Sequence, residues 1–408
     1  MNLFEELKYR GMVADKTSDD LVDKLNNEKL TFYIGTDPTA NSLHVGHLMF
    51  LILAKRLEKR GHNPIILVGG ATGLIGDPRP SSERPIVSKE VIESNFNALK
   101  SQIEELFGFK VVNNYDWCKD INFIDYLRDY GKYFPVPYML AKDVVKSRLE
   151  IGITYTEFSY MIMQALDFLH LYENENCTLQ IGGQDQWGNV TSGVELIRKK
   201  IGVQAFGMTY PLMTNSDGSK IGKSEGATIW LDKNKTSSYE LYQFFFNASD
   251  EKVIDYLKKF TFLTKTEIDE LETSLREEPH LRKPHKALAE NVVRDIHGQK
   301  ELDKALNITD VLFEEKYETL TLEELLAAFK GVDSIVLDES KSLVDCLVLS
   351  KLASSNREAR EFIKNGSVKV NGEKEIDLDK KITTDEMLKG RVCVLKRGKK
   401  KYALIKWQ

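Results

Sequence analysis

The sequence predicts an α/β protein in three parts: a parallel-sheet domain at residues 1–232, a helical domain at 233–330 and, past a linker at 331–341, a small basic α+β module at 342–408. Three observations predict it. Strand-like and helix-like segments alternate through the first half, capped helices without strand signals follow Leu231, and positive charge gathers at the carboxyl end. A chain of 408 residues suffices for two to four units at roughly 100–200 residues each. With 42% hydrophobic and 29% charged residues and only 10 Pro, the composition is globular, neither disordered nor collagen-like.

Thr31 to Gly35 reads as a short buried strand, followed by a loop through Asp37, Pro38 and Thr39. His44 to Arg60 reads as a helix ended by Gly61, and Ile65 to Val68 as the next strand. This βαβ spacing predicts a Rossmann-like parallel sheet with right-handed crossovers and a ligand site outside the carboxyl ends of its strands. Tyr33, Gly35, Asp37 and residues 69–77 fall at such ends. A second βα unit runs from Cys177–Ile181 through GGQDQWGN into a helix ending near Lys200, and residues from about 86 to 150 read as a mostly helical insertion. Beyond Leu231, Ser237 with Glu240, Thr264 with Glu267 and Thr321 with Glu324 have the spacing of helix-capping boxes. In the basic end, two helical segments precede Ser367–Gly372, whose Asn371-Gly372 pair suits a type I′ hairpin.

The net charge of −5 argues against a simple nucleic-acid coat, but Ser342 to Gln408 carries 16 Lys and Arg against 9 Asp and Glu. That asymmetry is open to two readings, a terminal module that meets a polyanion or a solvated basic tail. Cys118, Cys177, Cys346 and Cys393 are far apart and form no CxxC pair, so neither a disulfide framework nor a thiolate zinc site is indicated. The apolar run Leu48–Ala54 stops at Lys55, and the amino terminus carries acids where a secretory signal would be apolar. A cytoplasmic protein with no membrane segment is expected.

Four constellations carry chemistry. In HVGH, His44 and His47 share one face of a first helical turn directly after a strand. They could stabilise charge on a phosphate, or be a satisfied surface pair; zinc would need further ligands that the local sequence lacks. GGATGLIGDP (Gly69–Pro78) is a glycine-rich loop at a strand end, suited to close approach of a ligand or to a tight connection, and Asp77 could anchor a cation. KIGKS (Lys220–Ser224) tempts a Walker A reading, but that motif needs glycine where Asp217 stands, and a strand-like segment, Ala227 to Leu231, follows it instead of a helix. A pyrophosphate clamp and a solvated lysine pair both remain open. Tyr160, Gln164 and Asp167 form a polar stripe on a helix otherwise apolar nearly all round. A buried stripe must be hydrogen-bonded, either to protein or to a ligand.

HVGH, GGATGLIGDP, GGQDQWGN and KIGKS, in this order, resemble the signatures of the class I aminoacyl-tRNA synthetases, and YIGTDPT, TEFSYMIMQALDF and GGQDQWGN are similar to segments of the bacterial tyrosyl group. The resemblance spans essentially the whole chain. It implies that Tyr33 and Asp167 read the phenol of L-tyrosine, that Asp77, Tyr160 and Gln164 hold its ammonium, and that Gln186 lies beside its carboxylate. It further implies that His44, His47, Thr39, Lys220, Lys223 and Arg84 act on the triphosphate, with Gly35, Asp37, Gly183 and Asp185 around the nucleotide. ATP with Mg²⁺ would be co-substrate, with no tightly bound cofactor and no resident metal. Phenylalanine would be rejected without editing, a selectivity for which tyrosyl enzymes are themselves the standard example, because it leaves buried polar groups unpaired.

The last segment, Cys346 to Gly372, resembles a small RNA-binding module, and the resemblance gives phosphate contacts to Lys351, Arg357, Arg360 and Lys364 and to the run Lys396–Lys401. The resemblance to the family also implies a homodimer with tRNA(Tyr) bridging subunits. The chain departs from the family in three places: the loop after Asp77 lacks a usual lysine, whose place Arg79 could take or leave unfilled, and Ile34 and Phe50 stand where smaller or polar groups often touch the nucleotide. The competing readings are a tryptophanyl-type or other HIGH-motif adenylating enzyme, and an RNA-binding relative that has lost catalysis. Asp167 opposite Tyr33 speaks against the first, and intact HVGH and KIGKS against the second.

Overall fold

The computed structural model describes residues 1–78, 87–214, 221, 223–224, 227–398 and 401–408, with backbone alone at 223, 224 and 227. The chain divides into two compact units, Met1–Thr236 with Phe244–Val292, and Ser237–Gln243 with Val293–Gln408.

The first unit is built on β1 (Thr31–Thr36), α1 (Val45–Glu58), β2 (Asn63–Val68), α2 (Lys89–Phe107), β3 (Lys110–Asn113), α3 (Tyr155–Glu175), β4 (Cys177–Gly183), α4 (Trp187–Ile201) and β5 (Phe206–Tyr210). All five strands are parallel, in the order β3-β2-β1-β4-β5. Consecutive Phe32, Tyr33 and Ile34 are all buried, as a strand covered on both faces requires. The order reverses between β1 and β4, so the crevice beyond the carboxyl ends of those two strands is where a ligand belongs.

The first unit departs from expectation in two places. The span from about 86 to 150 is not wholly an insertion, because α2 and β3 complete a second crossover and extend the sheet beyond β2. The strand Lys-Val-Val-Asn is four residues long and only half-buried, too brief for an alternation signal. Only the short helices after Asn113 form an excursion. Of the strand expected at Ala227 to Leu231, Ala227–Thr228 pairs with Lys223–Ser224 and Trp230 bridges to His44.

Helix α1 is buried along nearly its whole length, which explains the apolar run without a membrane. No helix among the described residues is long and apolar enough to cross one. Near its end Arg56 is buried against Glu6 at 2.8 Å and donates to the Thr261 carbonyl at 2.7 Å, so the charge is paired and hydrogen-bonded, as burial demands.

The second unit contains α5 (Gln299–Glu314), β6 (Ser334–Leu337), α6 (Leu343–Leu349), α7 (Asn356–Lys364), β7 (Val368–Val370), β8 (Glu373–Glu375), β9 (Val392–Arg397) and β10 (Lys401–Trp407). Its sheet runs β8-β7-β9-β10-β6. Within the span read as a connection, Ser334–Leu337 pairs parallel with β10. Val370 faces Glu373, leaving a two-residue loop with φ of 49° at Asn371 and 94° at Gly372, the left-handed pair of a type I′ turn. Val392, Val394 and Leu404 share a core with Ile308, Val311, Tyr317 and Leu320, so the terminal sheet closes the core beside α5. All three expected capping boxes are present, at Ser237 with Glu240, Thr264 with Glu267 and Thr321 with Glu324.

Candidate active site

A cavity of about 580 Å³ lies at the switch point, lined by the ends of β1 and β4, the start of α1 and the stripe of α3. Tyr33, Gly35, Asp37, Thr39, His44, His47, Asp77, Tyr160, Gln164, Asp167, Gly183, Asp185 and Gln186 all line it. Tyr33 from β1 and Asp167 from α3 open into this one void. Their separation in sequence is closed by the packing of Tyr33 on Phe168, with ring centroids 5.5 Å apart.

The Asp167 carboxylate is 1% exposed. It accepts from Asn114 Nδ2 at 3.0 Å and Trp117 Nε1 at 2.9 Å. Burial outweighs these two donors and pushes the carboxyl up to about 7. The Tyr33 phenol is held well above its usual range by burial and by Asp167. Neither Asn114 nor Trp117 was anticipated. Both follow the carboxyl end of β3, a strand too short to signal its place in the sheet by alternation.

Asn114 also donates to Thr72 Oγ1 at 3.1 Å, and Thr72 donates to Asp37 Oδ1 at 2.8 Å. Tyr160 donates to the other oxygen, Asp37 Oδ2, at 3.1 Å. A continuous hydrogen-bonded chain therefore joins Asp167 to Tyr160. Asp37, expected around the nucleotide, is engaged within this chain. The glycine-rich loop makes the chain possible: a Cβ on Gly69 would stand 2.0 Å from Thr72 Oγ1 and 2.5 Å from Asp37 Oδ1. Gly69 thus clears space for the protein's own polar contact.

The stripe's other members meet a second cluster. Asp77 accepts from Gln186 Nε2 at 2.8 Å and from Asn189 Nδ2 at 3.2 Å, and Asn189 also donates to Gln164 Oε1 at 3.1 Å. Burial, with Asp37 and Asp77 nearby, raises the Tyr160 phenol well above its ordinary value, keeping it a neutral hydroxyl.

At the start of α1 the two imidazoles form the helix cap. His44 Nδ1 accepts from the Gly46 backbone N–H at 3.0 Å, and His47 Nδ1 accepts from the His44 N–H at 3.1 Å. A nitrogen that accepts cannot carry the proton, so each ring has its hydrogen on Nε2. The rings lie 3.9 Å apart, and burial together with His44 lowers His47 to about 3. His47 is thus neutral, and both rings turn Nε2 away from their caps beside the positive end of a helix. Phe50 stands edge-on to His47 at 5.9 Å, while Ile34 is wholly buried in the sheet.

Ile221, between the lysines of KIGKS, lines the cavity. Lys220, Arg79 and Arg84, and the side chain of Lys223, lie outside the described residues. In the second unit Lys351, Arg357, Arg360 and Lys364 are all exposed, the last three on the face of α7 opposite the buried Ala359 and Ile363. The later run is different. Lys396 pairs with Glu315, as does Lys369, and Arg397 stacks over Phe362, so Lys396 and Arg397 hold the module together. Lys399 and Lys400 lie outside the described residues.

A family model for tRNA synthetases class I (W and Y) matches residues 25–314, and one for the tyrosine–tRNA ligase SYY-like C-terminal domain matches residues 324–405. The chain is 49% identical over 419 aligned residues to the tyrosine–tRNA ligase of Bacillus pumilus, covering 100% of this chain and 99% of that protein. It is 48% identical to tyrosine–tRNA ligase 1 of Bacillus licheniformis, covering 100% of each. Among solved structures, a C-terminally truncated mitochondrial tyrosyl-tRNA synthetase of Aspergillus nidulans superposes with a TM-score of 0.68 at 33% identity, covering 76% of this chain and 94% of that one. The paired carboxylate and phenol in one cavity, the capping histidines and these matches over the full length lead to one conclusion: the chain belongs to the class I tRNA synthetases and, within them, to the tyrosine–tRNA ligases.

Proposed function

We propose that this chain activates L-tyrosine with ATP to tyrosyl-adenylate, releasing pyrophosphate, and then transfers the tyrosyl group to the 3′-terminal adenosine of tRNA(Tyr). The observation that carries the reading is the shared cavity of Tyr33 and Asp167, which gives a phenol both an acceptor and a hydroxyl partner. An indole could donate to Asp167 as Trp117 does, but it has no oxygen to accept from the Tyr33 hydroxyl, which disfavours a tryptophanyl-type substrate.

The tyrosine carboxylate is itself the nucleophile. It forms a bond to the α-phosphorus as the bond to the β-phosphate oxygen breaks, so no general base is required. Catalysis is positioning plus stabilisation of charge on oxygen. His44 and His47 donate Nε2–H to the triphosphate with Thr39 beside them, Lys220, Lys223 and Arg84 follow the leaving pyrophosphate, and Gly35, Gly183 and Asp185 border the ribose. At the amino acid, Asp77, Tyr160 and Gln164 take the ammonium and Gln186 lies near the carboxylate. Magnesium enters with the phosphates of ATP as part of that substrate. In the second step a ribose hydroxyl of tRNA attacks the tyrosyl carbonyl and AMP leaves.

The catalytic role falls to residues 1–232 and tRNA contact to the helical region 233–330 and the basic module 342–408, in a cytoplasmic homodimer whose subunits tRNA bridges. Exposed large apolar side chains concentrate between 123 and 155, among them Phe123, Ile124, Val136, Leu149, Ile151 and Tyr155. Such a concentration marks a surface that another chain covers, here a second copy.

ATP–pyrophosphate exchange is the direct test: it will depend on tyrosine, and exchange supported by tryptophan instead would overturn the assignment. The KM for tyrosine in that exchange will fall as pH rises through about 7. Asp167 must be ionised to accept the phenol proton, and below that pH its raised pKa keeps it protonated; Asp167→Asn should raise KM and flatten this limb. No inflection from His47 is expected near 6.5, since that ring stays neutral down to about 3. Arg357→Ala and Lys364→Ala should leave exchange intact while each lowers the slope of log affinity for tRNA against log salt by about 1; unchanged slopes would return these residues to a solvated face. Tyr155→Asp should shift the sedimenting species from dimer to monomer, and a wild-type monomer would remove the dimer from the proposal.

A further inference from the structure

Asn189 sits half-buried on the first turn of α4. Its amide nitrogen lies 3.0 Å from Gln186 Oε1, 3.1 Å from Gln164 Oε1 and 3.2 Å from Asp77 Oδ1. The polarity of this cluster follows from one group. A carboxylate without its proton can only accept, so the atom that Asn189 turns toward Asp77 must be the NH₂. By the same logic Gln186 turns its Nε2 to the other carboxylate oxygen, at 2.8 Å, and shows its oxygen to Asn189. Gln164, facing the same NH₂, must also present oxygen. Three acceptors thus converge on a nitrogen that has two hydrogens, with the Gln164 oxygen at their edge toward the cavity. An ammonium, with three donors and no acceptor, is its complement.

We infer that Asn189 is the positioning residue of the amine pocket: it locks the Gln164 amide with Oε1, and not its NH₂, toward the substrate ammonium. The inference rests on the tyrosine reading and refines it. A glutamine side chain is nearly symmetric in shape, so packing alone holds its two orientations almost equally well. Rotation about its last bond exchanges an attractive oxygen for a repulsive NH₂ in front of a cation. Asp77 therefore acts twice, directly as an anion and indirectly by dictating, through Asn189, which way a neighbouring amide faces.

The test compares the binding of L-tyrosine with that of 3-(4-hydroxyphenyl)propanoate, the same molecule without its ammonium, to the full chain. Asn189→Ala should weaken tyrosine about tenfold, the loss of one net hydrogen bond's orientation, while leaving the amine-free ligand and the KM for ATP unchanged. Adding Gln164→Glu should reduce the effect of Asn189→Ala to less than about twofold, because a carboxylate shows oxygen whichever way it turns. A purely structural role for Asn189 would not respond to the residue at 164. Equal losses for both ligands, or an undiminished loss in the Gln164→Glu background, would overturn the inference. Failure of the unsubstituted chain to bind tyrosine would instead overturn the reading on which it rests.

Discussion

A carboxylate buried on two neutral donors is the constraint around which the first unit is arranged. Asp167 is held by the Asn114 amide and the Trp117 indole, and burying a charge on neutral partners is costly unless geometry is good. Good geometry requires that the carboxyl end of β3 sit beside α3, although the two are apart in sequence. It also requires that Asn114 be fixed. Its oxygen accepts the Ala71 N–H at 2.7 Å, while its nitrogen serves Asp167 and Thr72. The loop after β2, the end of β3 and the middle of α3 are therefore one polar assembly, tied at a single asparagine. In the proposed function, the phenol hydroxyl of tyrosine is a third donor to this buried carboxylate.

The residues proposed for the nucleotide side use the opposite strategy, with N–H donors in place of a buried charge. By capping their own helix through Nδ1, His44 and His47 surrender one nitrogen to the backbone and commit the other to donation. In the proposed reaction, such donors meet a highly charged triphosphate and then release pyrophosphate. Fixed dipoles stabilise the transition state without the reorganisation that mobile groups would need.

In the second unit, charge serves two purposes that composition alone merges. Glu315, at the end of α5 with φ of 60°, gathers Lys369 and Lys396 from adjacent strands and so fastens the hairpin sheet to the helix. Arg357, Arg360 and Lys364 instead follow α7 on its solvent face. The basic end is thus partly an internal fastening and partly a surface.

Periodicity and motif were enough to specify β1, α1, β2, β4 and α4, because each combines a buried run with a glycine or polar boundary. The three capping boxes and the Asn371-Gly372 turn were likewise legible, since those interactions close within a few residues. The stripe of α3 declared its own unusual polarity, and the motifs in order declared the family. Tertiary structure alone decided what the stripe meets. Asn114, Trp117, Thr72 and Asn189 act only because distant strand ends converge, and a hydrogen bond across more than 40 residues leaves no local periodicity. β3 was hidden for a related reason: its four residues are given their place by pairing with β2 and not by an alternation of their own. Local signals report what a segment can form by itself, whereas the direction in which an amide or a carboxylate faces depends on neighbours that only the folded chain supplies.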